Sequence, residues 1–150
     1  MNNSFKKLTK LVLAIFGVAV CSHSCVLYGT PYSEYELKGK VVDETTDKPV
    51  QGLRIIRSST YKSHGEIKVN LYEKDTVFTD DKGEFYTEGR DYRLNELNHI
   101  LVEDIDSAQN GLYEDKEEFV ELVKQSKPKS RGWFIGLYKS EVTLEVTPKR

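Results

Sequence analysis

The 150-residue chain holds two cysteines, Cys21 and Cys25, and none beyond them, so no disulfide framework is open to the bulk of the sequence. Histidine is nearly as scarce. After residue 24 only His64 and His99 remain, the first beside Gly65 in a turn-like stretch and the second at the head of an apolar run. Two separated imidazoles with no cysteine partner make a poor zinc site, and both read as surface or strand-end residues. The sequence also lacks a G-x-S-x-G elbow, an H-E-x-x-H pair, a P-loop and a dinucleotide fingerprint, so an enzyme is not expected. No long basic block occurs and the formal charge is −2, which argues against nucleic acid. No apolar run reaches the ~20 residues of a membrane-spanning helix.

The longest such run, residues 11–20 (LVLAIFGVAV), follows Lys6, Lys7 and Lys10. A basic start and a short apolar stretch without a polar face are the marks of an export signal. Ser24 precedes Cys25 whereas Val20 precedes Cys21, so Cys25 is the expected lipidation site, with Cys21 as the alternative. A Cys21–Cys25 disulfide in a tail left by ordinary cleavage is the competing reading. Removing residues 1–24 takes away the three lysines and no acid, which moves the formal charge from −2 to −5. The remainder suits one domain. Residues 25–35 then form a lipid-anchored tether and residues 36–150 the folded domain.

Residues 37–56 (LKGKVVDETTDKPVQGLRII) read as two alternating strands folded back across a loop. EIKVNL at 66–71 alternates as a half-buried strand, with residues 58–65 as the loop before it. DTVFT and EFYT flank the turn Asp80-Asp81-Lys82-Gly83, which reads as a hairpin with Gly83 at positive φ. Residues 99–102 enter a central strand. Residues 103–118 form a long acidic loop. EEFVELVKQ at 117–125 leans to strand, residues 126–132 are a basic loop, Trp133 to Tyr138 cover one end of a core, and VTLEV closes the chain as a strand. About seven short strands, no sustained helix and no repeat give an all-β fold. The expectation is a single seven-stranded antiparallel β-sandwich, transthyretin-like or immunoglobulin-like.

Strand, loop and strand followed by TVFTDDKGEF resemble the carboxypeptidase regulatory-like and transthyretin-like sandwich domains. More narrowly, the chain resembles the radical SAM-associated lipoproteins. The residues that carry this are, in order, Cys25, Tyr28-Gly29-Thr30-Pro31-Tyr32, Leu37-Lys38-Gly39-Lys40-Val41, the Thr79–Phe85 turn, Glu103-Asp104-Ile105-Asp106 with Asn110-Gly111, and Trp133. The resemblance implies a lipid-anchored protein of the Gram-negative envelope, outer membrane included, whose partner is a radical SAM enzyme or another envelope protein. It also favours Cys25 over Cys21. Ser107 departs from it, standing where such loops often carry glycine.

Asp104, Asp106 and Asn110 offer hard oxygen ligands, and the Asp-x-Asp spacing puts two carboxylates on one side of an extended backbone, so calcium is the ion this loop would take. No other cofactor is expected. Thr76 and Ser107 lie in Asp-Ser/Thr-apolar tripeptides that resemble O-glycosylation sites. Tyr28, Tyr32, Tyr35, Tyr61 and Tyr72, read as lying in or beside loops, could stack on sugar rings in a carbohydrate-binding module.

Overall fold

The computed structural model describes residues 29–92, 96–105, 111–125 and 132–149. These form eight strands: β1 (Tyr32–Asp43), β2 (Arg54–Ser63), β3 (Glu66–Phe78), β4 (Glu84–Asp91), β5 (Leu97–Glu103), β6 (Lys116–Glu121), β7 (Val123–Lys124) and β8 (Phe134–Val146). They make two four-stranded sheets, in the orders β4-β1-β8-β7 and β3-β2-β5-β6. The expected all-β sandwich is there, with one more strand than expected. It is not wholly antiparallel, because β1 and β8 run parallel through twelve paired residues.

Parity builds the core. In β1, Tyr35, Leu37 and Val41 point inward and are almost fully buried, and Ile55 in β2, Ile100 and Val102 in β5 and Leu144 and Val146 in β8 face them. Full burial of one such aliphatic side chain contributes about 1.5–3 kcal/mol. Gly39 holds the inward place between Leu37 and Val41. The ring of Phe85, its cross-strand partner, fills the space a Cβ would take.

Both expected foldback pairs are corrected by this topology. β1 and β2 belong to opposite sheets, because the connection between them crosses the sandwich and buries Val50 and Leu53 as it goes. The Asp80–Gly83 turn does form, with Gly83 at φ 71° and Asp80 Oδ1 accepting from the N–H groups of Lys82 and Glu84. Its flanks nevertheless diverge: Thr79 N–H donates to Leu53 O on one side, and Gly83 O accepts from Val41 on the other. The turn is therefore a corner between sheets.

The true hairpin joins β2 to β3 at His64 and Gly65, whose φ values of 53° and 85° are the positive pair a two-residue turn of type I′ requires. The stretch 58–65, read as a loop for its polarity, is mostly strand: Ser58, Ser59 and Thr60 are buried, and Ser59 and Thr60 donate to Glu73 Oε2 and Leu97 O. β3 is an edge strand rather than the expected half-buried one, and Leu71 and Tyr72 are 73% and 98% exposed. Between Val69 and Lys74 it bulges away from β2, held by Asn70 Oδ1 accepting from Tyr72 N–H.

The strand expected within 117–125 splits at buried Leu122, where the chain leaves one sheet as β6 and joins the other as β7. Trp133 to Tyr138 do not sit over a core end as a separate cap. Phe134 onward is the first half of the 13-residue β8. β1 also starts earlier than the tether boundary at residue 35 allowed, so Tyr32 to Tyr35 belong to the sandwich.

The molecule has two distinct ends. Tyr113 OH donates to Asp43 Oδ2 at the close of β1, and Tyr113 N–H donates to Asp104 Oδ2, just past the Glu103 that pairs with the first residue of β2. The end of β1 thus lies beside the start of β2. The β1–β2 and β3–β4 links and Asp104 share this end, whereas the His64–Gly65 turn, Tyr92, Trp133 and the chain entering β1 share the other.

Candidate functional site

A polar constellation lies inside the sandwich. Arg57 of β2 and Asp91 of β4 are each about 2% exposed and form an ion pair across the two sheets. Arg57 also donates to Asn98 Oδ1 in β5, which is fully buried, and its guanidinium carbon sits 3.7 Å from the centroid of the Tyr35 ring. Asp75 of β3 completes the set: its Oδ2 accepts from Tyr35 OH and stands 3.7 Å from Arg57 Nη1. Five strands meet at one guanidinium. Arg57 Nε alone in that group is buried without a hydrogen-bond partner.

A buried charge is tolerable only when paired and hydrogen-bonded, and this one has a carboxylate, an amide and an aromatic face. Burial, followed by the negative charge of Asp91, pushes the Asp75 carboxyl above the ordinary carboxylate range. Neither Arg57 nor Asp91 reaches solvent, and Asp75 is the member of the cluster that stands partly exposed at the edge of the sandwich. The role of the cluster is to clasp the sheets.

Tyr35 therefore is no loop aromatic; it is a core residue, 2% exposed. Of the other tyrosines named for sugar stacking, Tyr61 and Tyr72 are exposed and line a shallow depression of about 370 Å³ with Thr60, Val69, Asn70 and Leu71. Tyr32 stands in β1 with its ring 5.6 Å from Phe134 and 4.9 Å from the Arg90 guanidinium. Tyr28 lies outside the described residues.

Asp104 is the one member of the expected calcium trio within the described residues; Asp106 and Asn110 lie outside them, as do Ser107, Cys21 and Cys25. Asp104 is engaged by Tyr113 N–H at 2.9 Å. Asp43 lies close by, and burial alone would raise its pKa. The N–H groups of Thr45 and Thr46, the Thr45 hydroxyl and Tyr113 OH outweigh that and hold it below the ordinary value. Tyr113 is raised in turn by burial, then by the charge and hydrogen bond of Asp43 and by Asp104. Glu114 N–H donates to Thr147 O and Lys149 N–H to Leu112 O, so the C-terminal stretch ties the loop down. Among the described residues no three His, Cys, Asp or Glu side chains converge on one point. Thr76 lies exposed on the edge strand β3, opposite Ile56.

A wider groove of about 560 Å³ lies against β1, β4 and β8, lined by Lys38, Lys40, Phe78, Tyr86, Glu141 and Thr143 among others. Tyr86 OH donates to Glu88 at 2.5 Å, and that bond, with burial and the charges of Glu88 and Glu36, pushes its pKa up to about 12.

Neither a family model nor a curated protein matches the chain. Among solved structures it is similar to hydroxyquinol 1,2-dioxygenase from Pseudomonas putida DLL-E4, with 8% identity and a TM-score of 0.50 over 78% of this chain and 57% of that one. It is also similar to the group B streptococcus pilus 2b backbone protein, with 14% identity and a TM-score of 0.46 over 75% of this chain and 40% of that one. A third is the C-terminal domain of the shaft pilin spaA from Lactobacillus rhamnosus GG, at 10% identity and 0.46 over 77% and 98%. The chain thus spans less than two thirds of the dioxygenase and of the streptococcal protein. At such identities the likeness to the dioxygenase is one of fold, a two-sheet β-sandwich.

Sequence reasoning missed the Arg57 cluster, although parity held the signal. Arg57 continues the inward series Leu53, Ile55; Asp91 continues Phe85, Thr87, Gly89; and Asn98 opens Ile100, Val102. Three polar residues at core positions of three strands are a cluster in waiting.

Proposed function

We propose that the chain is a non-enzymatic lipoprotein of the cell envelope, anchored through Cys25, whose sandwich serves binding or assembly. The observation that carries this reading is the division between the two ends. Gly29, four residues after Cys25, leads into β1 at one end, while the links bearing Asp43, Glu44, Asp80, Asp81 and Asp104 gather at the other. An anchor and a presented face at opposite ends suit a module held on a surface. The internal placement of Arg57 and Asp91 supports this reading, because that buried ion pair joins the two sheets and faces no open cleft. Growth with a labelled fatty acid tests the anchor: label should enter wild type and Cys21→Ala and be lost in Cys25→Ala. Label lost in Cys21→Ala instead would move the anchor, and no label in wild type would remove it.

A second reading, calcium at Asp104, Asp106 and Asn110, draws on the fixing of Asp104 by Tyr113. An ion that binds only the folded state stabilises it by mass action, by about 2.7 kcal/mol at a hundred-fold excess over Kd. Calcium should then raise the melting temperature of wild type and leave Asp104→Ala/Asp106→Ala unmoved; an unmoved wild type ends this reading.

A further inference from the structure

We infer that the end of the sandwich where the chain enters β1 is a seat for a lipid surface, which stands the domain upright with its acidic end outward. This rests on the anchoring of Cys25. The chain is fastened to the domain early: the Trp133 ring occupies the space where a Cβ on Gly29 would be, and Tyr32 N–H donates to Trp133 O at 2.9 Å. Only four residue steps separate Cys25 from Gly29. At ~3.3–3.6 Å per extended residue they reach about 14 Å at most. β1 by itself, at ~3.3 Å per residue, is about 40 Å long, so an acylated Cys25 draws this end, and not the other, to the bilayer.

The side chains exposed at that end suit the place. Trp133 and Ile135 are 47% and 41% exposed at the head of β8, Tyr92 is 53% exposed after β4, and Tyr61, Leu71 and Tyr72 stand out from β2 and the β3 bulge. Tryptophan and tyrosine collect at the headgroup level, where the ring is taken up by the acyl boundary and the N–H or O–H stays in water. Isolated in water, Leu71 and Tyr72 on a bulge have no packing role in the fold. The opposite end exposes Phe78, Ile105 and Leu112, but there Glu44, Asp47, Asp80, Asp81, Glu114 and Asp115 outnumber Lys48, Lys82 and Lys149, and a surface with this excess of carboxylates is repelled by anionic headgroups.

Trp133 is the only tryptophan of the chain, so its fluorescence reports this contact without interference. The full-length protein is inserted in phosphatidylcholine vesicles with and without brominated lipid, and the acyl mass on Cys25 is read on the same sample. Bromine near the headgroup end of the acyl chain should quench Trp133 more than bromine near its terminus, and the emission should shift to the blue. In a Trp133→Phe/Leu112→Trp variant, with the fluorophore moved to the acidic end, no quenching is expected. Acylated protein whose Trp133 is unquenched, or equal quenching at both positions, overturns the seat. Absence of the acyl mass overturns the anchor beneath it.

Discussion

At the scale of the residue, Arg57 is the side chain on which the fold depends most sharply. Removing one partner of a buried ion pair leaves the other charge unmatched, so Arg57→Ala or Asp91→Ala should each cost about 3–5 kcal/mol in urea denaturation. Replacing both together with apolar residues, Arg57→Met/Asp91→Leu, should cost far less, because the penalty lies in the orphaned charge. Equal losses in the single and double variants would contradict this. Asp75 gives the pH arm. Its carboxyl stands above the unfolded value of 3.8 through burial and the Asp91 charge, so folding takes up a proton there. The stability it contributes is full below 3.8 and is lost as pH rises through the raised value. Asp75→Asn keeps an acceptor for Tyr35 OH and removes the titration, so the difference in melting temperature between variant and wild type should shrink on acidification. A difference independent of pH would show that Asp75 does not titrate in this window. Asp43 moves the other way, and its contribution is lost only as pH falls through its lowered value. Arg57 was legible only in part: its inward parity is in the sequence, while its partners lie 34 and 41 residues away on other strands.

At the scale of the element, local pattern read the strands well and their partners poorly. β1, β4 and the close of β8 follow their alternation because one face of each is buried, while β5 buries Asn98, His99 and Ile100 in succession. The misreadings have physical causes. EIKVNL has the same alternation on an edge, where no second sheet covers it, and Asp80–Gly83 has the chemistry of a hairpin turn but is pulled apart by Thr79 and Gly83 bonding to different sheets. SSTYKS looks like a loop because its polar groups find partners only in the folded state. β1 and β4 meet most closely at Gly39, against the Phe85 ring. Gly39→Ala should overpack this pair and cost about 1–3 kcal/mol, while Gly39→Ala/Phe85→Leu should recover part of the loss. No recovery in the double variant would mean that the glycine serves something other than the ring.

At the scale of the whole molecule, the sandwich has a head and a foot. The clamp of Trp133 on Gly29, where the chain enters β1, defines the foot, and the acidic links beside Asp43 and Asp104 define the head; the proposed anchor belongs with the foot. The fold class was legible because about seven short strand patterns and their turn residues leave few other solutions, but the parallel pairing of β1 with β8 was not, since nothing local records a partner a hundred residues away. The proposed anchoring through Cys25 makes covalent change to the native protein the decisive observable. Intact mass with fragmentation of the protein from its own membranes tests anchoring most directly, and mass added at Thr76, Ser107 or elsewhere would appear in the same spectrum. The expected result is a chain that begins at Cys25, lacks residues 1–24 and carries a diacylglycerol on that thiol. A chain that begins elsewhere, or whose Cys25 is free or joined to Cys21, would contradict it.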